Sequence, residues 1–340
     1  MTVRAVAERS AAVRQNPAYR PVATLPPFMH SRARAARPRP AVILLAIAGV
    51  AAAACVRRAP EAPSPEPLPP AGTPASGGVN APAGVPGRAA AFTWAPAPVV
   101  RRLEVRTDVE VVRDDAGAAG ESPERVRTVV RLADTVMAGA GPGSARAAGV
   151  VEALEVAASA RVQGAAGAPP FAPFGYQAFS DARGVRADPA PGTGVDLRCT
   201  APAGATALGA LAAVRETLPR VPAGAAPGAR WRDTTVSAAC AGPVLLVVQT
   251  ASRYEAQAGE GGALAVVRRS SSTFRGQGAA GVRPVAVAGA GTGEARYLMD
   301  AARGTVASGS GETRTTLTVT VAGAAQRFTQ RARTQVAEAR

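Results

Sequence analysis

Lysine is absent from this chain, and histidine occurs once, at His30. Without lysine there is no Schiff base, no Ser-Lys dyad and no phosphate-gripping P-loop. With one histidine near the N-terminus, a His-based triad or a His metal site in the body of the chain is excluded. Aromatic residues make up only 4 % of the sequence and do not interleave with a basic stripe. The formal charge of +15 therefore does not read as a nucleic-acid surface, and no nucleic-acid partner is expected. All 39 basic residues are arginine, and many alternate with acids, as from Arg101 to Asp108. That is the pattern of a solvated strand face.

The N-terminal region carries targeting features. Arg32, Arg34, Arg37 and Arg39 form a positive segment, Ala41 to Val50 an apolar one, and four alanines, Ala51 to Ala54, lead into Cys55. The uncharged stretch from Pro40 to Val56 is 17 residues, short of the ~20 apolar residues a membrane-spanning helix needs. The cluster resembles the lipobox signal of bacterial lipoproteins, with Ala52 where that family usually has leucine. The resemblance implies cleavage before Cys55 and lipid on its thiol, with the membrane as partner through that lipid. Val56, in place of the aspartate that retains enteric lipoproteins at the inner membrane, points to an outer-membrane anchor facing the periplasm.

Four segments follow: 1–28, an upstream extension with translation expected to start at Met29; 29–54, the signal peptide; 55–91, the lipidated cysteine and a linker; and 92–340, one β-rich envelope domain. The linker, Ala59 to Gly87, is rich in Pro, Ala, Gly and Ser and cannot bury enough surface to fold. With Cys55 assigned to lipid, Cys199 and Cys240 remain. In an oxidising compartment they are expected to pair rather than stand as one buried and one reactive thiol.

The domain reads as mainly β with one helix: a curved antiparallel sheet or open barrel packed on an amphipathic helix. Leu103, Val105, Val109 and Val111 alternate with Arg102, Glu104, Arg106, Asp108 and Glu110, the period of two of a half-wet strand. Val126 to Val136 is its expected partner, and Ala148 to Val162 a third strand. Further strands are expected over Trp231 to Ala239, Pro243 to Arg253, Leu264 to Phe274, Val282 to Ala288, Ala295 to Asp300, Thr305 to Ser308, Thr313 to Val321 and Gln326 to Val336. Gly259 to Gly262 and Gly309 to Gly311 read as hairpin punctuation, and Gly289 to Gly293 as a tight turn or bulge. Ala203 to Leu218 is the helix, stopped by Pro219 and Pro222. In architecture and in its order of anchor, linker and strands, the chain resembles the periplasmic half-barrel lipoproteins, including the lipoprotein-localisation carriers. No motif supports that likeness, so no residue roles transfer.

Few residues suggest chemistry. Asp114-Asp115, Asp233, Glu255 and Asp300 are carboxylates without pair spacing, and a carboxylate-based hydrolase is the third reading only. No metal, cofactor or catalytic residue is expected, and the chain is read as non-enzymatic. Phe171, Phe174, Tyr176 and Phe179 concentrate aromatics in nine residues. They read either as a loop tucked into the core or as an apolar flap over a ligand cavity. Trp231 reads as a core anchor. The leading expectation is an anchored envelope lipoprotein that binds a hydrophobic ligand, such as a lipid, or an envelope-protein partner. The alternative is a structural or assembly component of the envelope.

Overall fold

The computed structural model describes residues 91–114, 123–158, 171–201, 203–260 and 263–339. Cys55 and the segments before residue 91 lie outside the described residues, as does Asp115.

Eleven strands and one helix follow in chain order. The strands are β1 (Val99–Arg113), β2 (Glu124–Ala138), β3 (Ala145–Ala158), β4 (Phe174–Asp181) and β5 (Gly184–Pro189), then β6 (Arg230–Ala241), β7 (Val244–Ala258), β8 (Leu264–Ala280), β9 (Arg283–Asp300), β10 (Thr305–Val321) and β11 (Ala324–Glu338). Helix α1 (Gly204–Glu216) connects β5 to β6. They form one antiparallel sheet in the order β5-β4-β3-β2-β1-β11-β10-β9-β8-β7-β6. Each strand thus pairs with its chain neighbour, and the first strand pairs with the last. The sheet is nearly closed into a barrel. Its single seam lies between β5 and β6, and α1 packs against both of those edges. The edges come close at Gly184, where an added Cβ would meet the Thr235 methyl.

Strict alternation builds the wall. In β1, Leu103, Val105 and Val109 are buried while Arg102 and Arg106 are exposed. A strand whose side chains alternate across a curved sheet puts one set inside and the other in solvent. Tight hairpins keep the register: Val321 pairs with Ala324 across Ala322-Gly323, both at positive φ, as a two-residue primed turn requires.

Three sequence expectations change. Gly289 to Gly293 is no turn; it runs through the middle of β9, a single 18-residue strand. Gly309 to Gly311 likewise lies within β10, which is continuous from Thr305 apart from a bulge between Val306 and Ser308. In both places glycine signals close packing within the sheet rather than a reversal. An added Cβ at Gly291 would stand 2.6 Å from the Thr315 hydroxyl. The third change is the aromatic segment. Phe174 to Asp181 is a regular strand, paired with β3 on one side and β5 on the other.

Two structural pins hold the helix region. Cys199 and Cys240 form a disulfide with Cα atoms 5.4 Å apart, tying the approach to α1 to β6. At the other end of α1, Arg101 of β1 forks onto Asp134 of β2 at 2.9 and 2.8 Å and donates to the Thr217 carbonyl at 3.3 Å. The Tyr176 hydroxyl completes that cluster by donating to Asp134 at 2.8 Å.

Candidate functional site: a polar layer inside the barrel

The inward residues change character along each strand. On β8 they run Leu264, Val266, then Arg268, Ser270, Ser272, then Phe274. On β7 the order is reversed: Leu246 and Val248, then Thr250 and Ser252, then Tyr254 and Ala256. On β9 Val285 and Val287 give way to the glycines and then to Ala295, Tyr297 and Met299. A large apolar cluster at one end contains Leu103, Val105, Leu211, Val266, Tyr297 and Met299. A second, at the other end, contains Leu246, Val248, Phe274, Val287, Leu317 and Val319. Between them lies a belt of hydroxyls and glycines drawn from most of the strands, and there the wall and α1 line a partly open cavity. About 110 Å³ of it is open to the centre of a water-sized sphere. A single water needs only ~10–15 Å³ on that measure, so the space exceeds a lone structural water.

The belt satisfies itself only in part. Thr107 and Thr334 share a hydrogen bond of 3.3 Å, and Thr250 and Ser272 one of 2.8 Å. The Thr128 hydroxyl is buried with no hydrogen-bond partner among the described residues. Where α1 meets the wall, charged groups gather. The Arg268 Nη2 donates to both oxygens of Glu216 at 3.2 and 2.9 Å, and the Tyr297 hydroxyl donates to the same carboxylate at 2.6 Å. Beside them the Tyr254 hydroxyl donates to Asp233 at 3.1 Å. Tyr254 stacks on Trp231 at 5.4 Å, and the Trp231 indole donates to the Arg220 carbonyl, which makes Trp231 a packed support. Burial raises the Asp233 carboxyl above its usual range, against the Tyr254 hydrogen bond and nearby arginines. Burial raises the Tyr297 hydroxyl well above its ordinary value, against the pull of Arg268, so it stays a proton donor.

Arg215 is the exception in this group. It projects from the last turn of α1, is 4 % exposed and lines the cavity. Its Nε and Nη1 have no hydrogen-bond partner among the described residues. Burial pushes the guanidinium down to about 9, while Glu216 and Asp188 favour its charge.

The carboxylates singled out from sequence do not assemble. Asp233 lines the cavity, whereas Glu255 pairs outside with Arg230, Asp300 accepts from the backbone of Ala302 and Arg303, and Asp114 accepts from Thr329. Glu216, the carboxylate beside Asp233 that sequence reading passed over, has both oxygens engaged. Among the described residues no group of three or more His, Cys, Asp or Glu is placed to hold a metal.

The aromatic set is also dispersed. Phe174 and Tyr176 are buried in the wall, Phe171 packs against the same core and near the Phe174 ring, and Phe179 lies under the Arg186 guanidinium. None of the four lines the cavity. Sequence reasoning missed Arg215 and Arg268 because an arginine in an alternating or helical run reads as a solvent-facing residue. The one available signal was position: Arg215 shares the helical spacing of Leu208, Leu211 and Leu218.

No helix of the described residues is long and apolar enough to cross a membrane. Comparison with protein-family models, curated proteins and solved structures finds no match to this chain.

Proposed function

We propose that this chain is a bacterial envelope lipoprotein, held to a membrane by lipid on Cys55, that binds a ligand inside its barrel and catalyses no reaction. The observation that carries the reading is the polar layer inside the barrel. Barrels of about eight strands fill their interior with side chains or hold one small ligand, and eleven strands surround a wider space. Here the middle of the barrel is given over to small residues, Gly291, Gly293, Gly311, Ser270 and Ser272 among them. Small residues at successive inward positions of a wall sacrifice packing, and a bound molecule offsets that loss. The lining is mixed, with hydroxyls beside Val130, Val185, Ala212 and Phe274. It suits an amphiphilic ligand better than the purely greasy one expected from sequence. Carboxylate hydrolysis draws little support, since Glu216 is fully engaged and leaves Asp233 without a free partner.

Native mass spectrometry of the gently purified full chain tests the binding: a stoichiometric small molecule is the expected result. Adduct-free protein that gains no mass from a lipid extract would refute it. Intact mass of the membrane fraction tests the anchor; Cys55→Ala should release the protein and remove the acyl mass.

A protein-partner reading rests on a different surface. Val236, Leu245 and Val247 are 41, 49 and 52 % exposed on the outer face of the β6–β7 hairpin, at the sheet edge. Val247→Glu would break such a contact without touching the cavity.

A further inference from the structure

Arg215 offers the sharpest clue to what the cavity takes. A guanidinium withdrawn from water is costly unless its N–H groups are paired. The other enclosed arginines are paired: Arg101 on Asp134 and Arg268 on Glu216. Arg268 leaves only its Nε without a partner, whereas both Nε and Nη1 of Arg215, which lines the cavity, are buried without one among the described residues. The charge it contributes is a single one, since the Arg268–Glu216 pair beside it is neutral.

We propose that Arg215 anchors an oxyanion subsite, and that the barrel ligand carries one carboxylate that docks on the Arg215 guanidinium. The inference rests on the reading of the barrel as a binding protein and specifies the chemistry of its ligand. No carboxylate is hydrogen-bonded to the buried Arg215 nitrogens among the described residues, and a monoanion meets less repulsion from Asp233 and Glu216 than a dianion does. A doubly charged phosphate would face the Glu216 and Asp233 side chains, and their repulsion disfavours it. Arginine meets a carboxylate through two parallel N–H donors, which fixes orientation as well as charge. Around that head the hydroxyl belt supplies donors and acceptors: among the described residues the Thr128 hydroxyl and the Asp233 Oδ1 have no hydrogen-bond partner. A hydroxyl or amide on the body of the ligand would satisfy both.

The carboxylate can belong to an amphiphile or to a small polar acid, and four probes separate the sources. Titrate the purified full chain by calorimetry with octanoate, 1-octanol, gluconate and inorganic phosphate, in the parent and in Arg215→Met. The expected result is a carboxylate bound at least tenfold more tightly than octanol and phosphate, with that preference abolished in Arg215→Met. Octanoate ahead of gluconate identifies an amphiphile, and the reverse a polar acid. Octanol bound as tightly as octanoate, with Arg215→Met making no difference, would overturn the subsite and leave the binding barrel standing. Phosphate bound ahead of both acids would overturn the monoanion assignment. No heat from any probe, together with adduct-free native mass, would remove the binding barrel and the subsite with it. Should Arg215→Met fail to fold, Arg215→Lys keeps the charge but loses the fork, and a carboxylate affinity equal to the parent's would then count against the proposal. Ser270→Phe fills the cavity from β8 and should abolish binding of every probe.

Discussion

Arg101 and Arg215 are both almost wholly enclosed, and both lie near the C-terminal end of α1, yet they are treated in opposite ways. Arg101 has a carboxylate held in a two-pronged grip, a tyrosine hydroxyl on that carboxylate and a backbone carbonyl from the end of the helix. Arg215, on the helix itself, has an open cavity and unpaired nitrogens. The first arrangement is closed: every strong group has a partner within the protein, so it behaves as a rivet between β1, β2, β4 and the helix. The second is left incomplete by the fold, which is how binding sites differ from structural ion pairs. The contrast teaches that burial of a charge does not by itself mark function; the state of its hydrogen bonds does.

The comparison can be broken at its stronger end first. Asp134→Ala leaves Arg101 buried without its counter-charge and should cost roughly 3–5 kcal/mol, read as a large drop in the urea midpoint. A loss under 1 kcal/mol would mean the rivet is ornamental. Next in size, Cys199→Ser with Cys240→Ser should cost about 2–4 kcal/mol in the chain-entropy account, with the sheet's far-ultraviolet signature retained at low denaturant.

Arg215→Met should move stability the other way. Replacing an unpaired enclosed charge by an apolar side chain should gain roughly 1–3 kcal/mol for the ligand-free protein. The gain should shrink as pH rises through about 9, because the folded parent then sheds the proton that burial disfavours while the unfolded chain keeps it. Equal pH profiles in parent and variant would show that Arg215 is not desolvated in solution. The smallest effect is expected at Asp233. Its carboxyl binds a proton more tightly folded than unfolded, because burial raises it. Its penalty is therefore absent in acid and grows as pH rises through the carboxylate range. Asp233→Asn should raise Tm by a few degrees at pH 7 and by nothing at acid pH. A rise of the same size at both would assign the effect to packing instead.

Much of the wall was legible beforehand. Alternation identified β1 and its inward Leu103, Val105 and Val109, and the strands expected over Val126 to Val136, Thr313 to Val321 and Gln326 to Val336 fall within β2, β10 and β11. The pairing of Cys199 with Cys240 followed from counting. The places where reading failed share a cause. Glycine between apolar runs signals a turn when the chain is alone, yet in β9 and β10 it serves a belt where neighbouring strands crowd each other. The aromatic stretch flanked by Pro169 and Pro170 looked irregular, and pairing on both sides made Phe174 to Asp181 a strand. Serines such as Ser270 and Ser272 resemble surface residues, because nothing local distinguishes a hydroxyl facing water from one facing an internal cavity.

The sequence alone determined that the chain is β-rich, that one helix interrupts it, and which residues along each strand share a face, because period-two alternation is a local property of the backbone. The tertiary structure alone decided that the first strand meets the last, that the barrel's interior is layered apolar, polar and apolar, and that among the described residues Arg101 has a hydrogen-bonded carboxylate where Arg215 has none. Those depend on which distant residues the closed sheet brings together. The two arginines differ in which groups the fold sets against them.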